Sequence, residues 1–212
     1  MLQAIDLSHR FETLLYENLN LEALGGESVA ILGVSGSGKS TILNNLSTML
    51  KPISGKVSLL GYEDIYALPA HKLLEIRRYE VGIIFQSHYL FRGFSGSENL
   101  NVASILSKQP ISEDLLIALG INDVIHQNVG ELSGGQQQRL SIARVLTKKP
   151  KIIFADEPTG NLDRTTANNV MEAMCAYVRG ASGVLVLATH DEEIAQKCTK
   201  VFRLENKALI PL

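Results

Sequence analysis

The chain has 212 residues, 45% of them apolar and 20% charged, and its formal net charge is −2. That length suits one large domain or a core with a subdomain, and the composition is ordinary for a soluble globular protein. The charge argues against a broad nucleic-acid footprint, and no apolar run approaches the roughly 18 residues that a bilayer-spanning helix needs.

Two further exclusions follow from composition. Cys175 and Cys198 are the only cysteines and form no C-x-x-C pair, so they read as core or surface thiols in a reducing compartment. The start, Met1-Leu-Gln-Ala-Ile-Asp, lacks the basic stretch and long apolar run of a signal peptide, so a cytoplasmic location is expected.

In chain order, residues 1–32 read as short strands. Gln3 to Ser8 alternates weakly and Leu19 to Leu24 alternates better; Gly25-Gly26 turns the chain into a buried strand, Val29 to Leu32. A helix is predicted from Thr41 to Leu50, with Ile42, Leu43, Leu46, Met49 and Leu50 apolar. Pro52 and Gly55 bracket a turn before a short strand at Lys56 to Gly61. Residues 70–79 look helical and Val81 to Phe85 is a short buried strand. From Ser87 to Thr147 helical segments dominate, broken at Gly93, Gly96, Pro110, Gly120 and Gly130, which reads as a helical subdomain inserted into the core. Lys151 to Asp156 returns to a buried strand. Thr165 to Arg179 is a helix with Val170, Met174, Tyr177 and Val178 on one face. Gly183 to Thr189 is a further buried strand. Asp191 to Lys197 is helical, capped by Thr189 or Asp191, and Val201 to Leu204 pairs with Ala208 to Ile210 across Glu205-Asn-Lys. Apolar strands alternating with helices predict a mostly parallel sheet covered on both faces.

Three stretches carry chemistry. Gly33-Val34-Ser35-Gly36-Ser37-Gly38-Lys39-Ser40-Thr41 fits G-x-x-x-x-G-K-[ST] and lies between a strand and a helix, the context that this loop requires. Its backbone N–H groups and the helix dipole favour an anion. Lys39 can reach β- and γ-phosphates, and the Ser40 hydroxyl can ligate Mg²⁺. The second stretch, Ile152 to Glu157, buries four apolar residues and delivers two adjacent carboxylates at the strand end, where open α/β sheets bind ligands. Asp156 can hold Mg²⁺, directly or through water, and Glu157 can polarise an attacking water. The third is Leu132-Ser133-Gly134-Gly135-Gln136-Gln137, where Ser133 is a plausible N-cap and the glycines expose N–H groups at another phosphate-facing helix start. One small chain cannot easily use two such cradles on one nucleotide, which points to a second copy and two composite sites.

Together with Gln86, Asn161-Leu162-Asp163 and His190, these motifs resemble in content and order the ATP-binding cassette (ABC) ATPase family along nearly the whole chain. The resemblance implies an α/β P-loop NTPase (RecA-like) core with an antiparallel β subdomain and an inserted α-helical subdomain. It also implies one domain over 1–212, with the core at about 1–86 and 148–212 and the helical part at about 87–147. It further implies ATP with Mg²⁺, hydrolysis, and a nucleotide-sandwich dimer. Gly33–Thr41 matches the Walker A loop, Ile152–Glu157 the Walker B strand, and Ser133–Gln137 the signature that closes on the opposite nucleotide. Gln86 matches the Q-loop residue that touches Mg²⁺ or the attacking water. Asn161-Leu162-Asp163 matches the D-loop at the dimer interface, and His190 the switch histidine at the γ-phosphate. The family stacks adenine on an upstream aromatic ring; Phe11 best matches that place, with Tyr16 as the rival.

Gly82 to Leu90, Ser97-Glu-Asn-Leu and Ala155 to Asp163 look like the small stand-alone ATPases of the lipoprotein-release and macrolide-export branch, which includes the cell-division ATPase. Asn101 to Leu119 is shorter than that branch usually carries. The resemblance implies an integral membrane permease as partner, export or extraction as the work, and a peripheral place on the cytoplasmic membrane face. The alternative is a soluble or cell-division-type ABC ATPase acting as a nucleotide-gated regulator. No nucleic acid is expected as a partner: the chain has no basic stripe, long coiled insertion or tandem cassette. Residues 87–96 are rich in aromatics, and either line the groove for a permease coupling helix or pack the helical subdomain.

Overall fold

The computed structural model describes residues 1–212. Strands β1 (Leu2–Arg10) and β2 (Leu14–Ala23) form an antiparallel pair, and β3 (Ser28–Leu32) leads through the Gly-rich loop into α1 (Lys39–Leu46). Then come β4 (Ser54–Leu59), α2 (Ala70–Tyr79) and β5 (Val81–Ile84). Between β5 and β6 (Ile152–Asp156) lie three helices: α3 (Gly96–Ser107), α4 (Glu113–Ala118) and α5 (Gly134–Thr147). The chain closes with α6 (Arg164–Gly180), β7 (Val184–Thr189), α7 (Glu192–Ala195), β8 (Lys200–Glu205) and β9 (Ala208–Pro211).

The strands form two sheets. One is antiparallel, in the order β2-β1-β4. The other runs β5-β6-β7-β3-β8-β9, parallel except for the β8–β9 pair at its edge. The central strands alternate between two apolar clusters, as a period of two requires. Val29, Ile31, Ile152, Phe154, Val184 and Val186 face α1 and the antiparallel sheet. Ala30, Leu32, Ile153, Ala155, Leu185 and Leu187 face α5 and α6. Leu100, Leu116 and Leu140 of the helical insert belong to that second cluster, so the insert shares one continuous apolar layer with the sheet. The terminal hairpin turns at Asn206 and Lys207, both left-handed (φ 50° and 65°), and its register sets Glu205 opposite Ala208.

Element types agree with the sequence reading, whereas several boundaries move. The first strand pair is longer than its alternation suggested, because β1 and β2 pair along nearly their whole lengths. The first helix ends at Leu46, not Leu50, and Met49 is exposed. A left-handed Thr48 and the Asn45 side chain close the helix early. The Asn44 carbonyl accepts from both Met49 and Leu50, Thr48 turns left-handed (φ 71°), and the Asn45 side chain donates to the Leu50 carbonyl at 2.7 Å. Of the two candidate caps for α7, Asp191 accepts from Glu193 and Ile194, whereas Thr189 accepts only from Asp191.

Asn45 is itself fully buried, and its Oδ1 accepts from the Tyr16 hydroxyl. Tyr16 is 0% exposed, and burial lifts its phenol far above the ordinary range. Tyr16→Phe strands that amide oxygen, so the unfolding free energy from urea melts is expected to fall by about 1–3 kcal/mol. A loss below about 0.5 kcal/mol would contradict the bond. Burial also raises both thiols, Cys198 to about 12. The folded chain is therefore expected to resist Ellman's reagent at about pH 8 and to release two reactive thiols only in denaturant. Rapid labelling of the folded chain would refute that placement.

Candidate functional site

The parallel register sets the site. Leu32 at the end of β3 pairs with Thr189 at the end of β7, and Asp156 at the end of β6 pairs with Ala188. Three strands therefore end level, and the loops that follow them meet along one sheet edge. That edge carries Gly33–Gly38, Asp156-Glu157 and His190.

Within the loop, Gly36 and Gly38 take positive φ (77° and 109°), which turns N–H groups inward. Gly38 is the N-cap of α1 and supplies no side-chain cap, so the first-turn N–H groups lack a side-chain acceptor. Ser37 Oγ is also buried without a hydrogen-bond partner. An unmatched hydroxyl and an uncapped helix start both fit a bound anion. Lys39 is only 6% exposed, and its ammonium donates to the Gly33 and Val34 carbonyls at 2.7 and 3.0 Å.

Opposite the loop, Glu157 has a left-handed backbone (φ 46°), held by its N–H on the Ala188 carbonyl at 2.9 Å. Such a conformation costs a non-glycine residue on the order of 1 kcal/mol. It turns the Glu157 side chain toward the loop. One carboxylate oxygen lies 2.9 Å from His190 Nδ1 and 4.0 Å from the Lys39 ammonium; the other accepts from Thr189 Oγ1 at 3.2 Å. Asp156 sits beside it with its carboxyl raised above the ordinary range. Burial is the main cause, and the Glu157 charge adds to it. The Ser40 hydrogen bond and the Lys39 charge pull the other way. No three His, Cys, Asp or Glu side chains gather to hold a metal by themselves, so a cation at Asp156 and Ser40 needs oxygens from a ligand.

A cavity of about 630 Å³ opens over the loop, lined by Leu14, Leu15, Gly33, Ser37, His190 and Lys207 among others. Its volume lies within the range of small-molecule sites. Phe11 lies in the turn between β1 and β2, outside the lining of this cavity; it is 60% exposed, with its ring edge-on to His9 at 4.9 Å. Tyr16 is core and has no free face to offer a base.

Ser133–Gln136 stand apart from this cluster. Ser133 caps α5, its Oγ accepting from Gln136 N at 3.3 Å while Gln136 Oε1 accepts from Ser133 N at 2.8 Å. Gly134 faces open space, whereas a Cβ on Gly135 would meet Leu162 and Asn161 at 3.2 and 3.4 Å. Gln86 is exposed just beyond β5. Thr189, Leu14, Leu15 and Lys207 escaped the sequence reading as site residues. Only the register of β7 on β3 could have pointed to Thr189.

Comparison with known proteins places this geometry. Residues 16–160 match the family model described as "ABC transporter". The chain is 34% identical to the lipoprotein-releasing system ATP-binding protein LolD of Protochlamydia amoebophila, over 99% of this chain and 96% of that protein. It is 37% identical to the macrolide export ATP-binding/permease protein MacB of Wolinella succinogenes, over 90% of this chain and 30% of that longer protein. The dimeric structure of MJ0796, a bacterial ABC transporter cassette, superposes with a TM-score of 0.88 at 30% identity, covering 99% of this chain and 96% of that one. A second MJ0796 dimer, in a post-hydrolysis state with ADP and Pi, gives a TM-score of 0.87 at 29% identity, over 99% of this chain and 96% of that one. With its P-loop core, the cleft over that loop and these relatives, the chain belongs to the ABC transporter family and is an ATP-binding, ATP-hydrolysing cassette.

Proposed function

We propose that two copies of this chain close on two ATP·Mg²⁺ and drive a separate membrane permease, in export or in lipoprotein extraction. The observation that carries this reading is the meeting of Lys39, Glu157 and His190 in one network at the mouth of an uncapped helix. In this reading the loop N–H groups, Ser37 Oγ and Lys39 spread phosphate charge, and Phe11 stacks on adenine. Ser40, Asp156 and Gln86 would hold Mg²⁺, which when bound would supply positive charge against the phosphates. A γ-phosphate draws Lys39 and His190 toward itself. That frees the Glu157 carboxylate to orient water and accept its proton.

Ser133, Gly134, Gly135 and Gln136 serve the partner copy's nucleotide. Their side-chain hydrogen bonds stay within their own cap, the Gly134 face is open, and MJ0796 is dimeric. The helical subdomain, about 87–147, carries this surface, and the remainder of the chain carries the loop. A membrane partner is supported by the names of the relatives and by Tyr89, Phe91 and Phe94, exposed at 67%, 47% and 41%. No helix is long and apolar enough to cross a membrane, so the permease supplies the span from which this chain works at the cytoplasmic face.

Glu157→Gln is expected to cut steady-state ATP turnover about a hundredfold or more and to trap an ATP-dependent dimer visible by light scattering. Turnover at the parent rate would remove Glu157 from the mechanism. Lys39→Ala is expected to raise the calorimetric Kd for ATP about tenfold or more. Unchanged affinity would count against the loop assignment.

A further inference from the structure

We infer that Arg144 latches the strained backbone of Tyr89 to the helix that begins at Ser133, so that a shift of this helix resets the aromatic surface around residues 89–94. This inference rests on the reading of the Ser133 end of α5 as nucleotide-facing. Arg144 lies near the other end of α5. Its guanidinium donates to the Tyr89 carbonyl at 2.8 Å and the His88 carbonyl at 3.2 Å, and sits 5.9 Å over the Phe91 ring. A planar fork that grips two successive carbonyls and stacks on the next aromatic ring fixes both position and direction.

The residue it grips is strained. Tyr89 has φ 47°, a left-handed conformation that a bulky side chain takes only when its surroundings impose it. Asn99 restrains the other side: buried on α3, it accepts from Phe91 N at 2.9 Å and donates to the Phe91 carbonyl at 3.2 Å. The start of α5 joins the same ring of contacts. Gly135 packs on Asn161 and Leu162, and the Asn161 amide nitrogen lies 3.4 Å from His88 Nε2. The segment 88–91 is thus held by α3, by α5 and by the loop at Asn161; the Tyr89 ring stands edge-on to Phe85 at 5.0 Å, and its carbonyl is gripped by one side chain of α5. A shift of α5 would exchange this clamped, left-handed Tyr89 for a released, relaxed one, the second arrangement that a switch requires.

The chain contains no tryptophan, so Tyr89→Trp installs a single reporter at this position. Acrylamide quenching of that tryptophan is followed as ATP with Mg²⁺ is titrated into the full chain, and ATP affinity is measured separately by calorimetry. With Arg144 present, quenching is expected to change about twofold or more, with its midpoint at the calorimetric Kd. Adding Arg144→Ala is expected to leave the Kd within about threefold and to reduce the quenching change to about a fifth. Arg144→Lys keeps the charge and loses the fork; it is expected to halve the response, roughly, and it settles the matter if the alanine variant does not fold. A full response in either variant overturns the latch, as does a silent tryptophan in a parent chain that binds ATP. A parent chain that binds no ATP in the calorimeter fails the nucleotide reading itself, and the latch falls with it.

Discussion

The level ending of β3, β6 and β7 is the constraint on which the rest of the site depends. Parallel pairing sets Leu32 against Thr189 and Asp156 against Ala188. A slip of one residue in either pair would turn its buried side chains to the opposite face and break both apolar clusters. The core therefore enforces the register, and the register brings the phosphate loop, the carboxylates and the histidine to one edge. Stability and chemistry are joined here: the buried side chains that hold the core also fix the register that assembles the site.

This edge carries features that a protein selected only for stability would avoid. The α1 helix starts without a side-chain cap, Ser37 holds a buried unmatched hydroxyl, Lys39 is buried, and Glu157 sits in a left-handed conformation. Each costs on the order of 1 kcal/mol, and they converge on one point. A bound triphosphate relieves most of them together, because it supplies acceptors for the N–H groups and the hydroxyl and a counter-charge for the lysine. The same logic extends to Tyr89, the strained residue on the aromatic surface.

Much of this was readable from residue order. The strand–loop–helix context of Gly33–Thr41, the acid pair after Ile152–Ala155 and the capping pattern at Ser133 are local signals, and each is found where its local rule puts it. What was hidden depends on partners distant in sequence. That Tyr16 is core rests on Asn45, 29 residues away, and Glu157 meets His190 only through the β6–β7 register. The early end of α1 is tied down by the Asn45 side chain, which holds the Leu50 carbonyl beyond the helix. Arg144 gave no signal because its partners are carbonyls 55 and 56 residues earlier, and carbonyls carry no residue identity.

The central claim is that each nucleotide is enclosed by Lys39 of one chain and Ser133 of another. Mixing two defective variants tests it directly. Lys39→Ala lacks the loop lysine and Ser133→Glu lacks a usable helix start, so neither variant alone assembles an intact site. In a mixed dimer the intact loop of the second variant faces the intact helix start of the first. The mixture is expected to recover about a quarter of the parent ATPase rate, since roughly half of the dimers are mixed and each of these holds one good site of two. A mixture that hydrolyses ATP no faster than the two variants measured separately would contradict a site shared between chains.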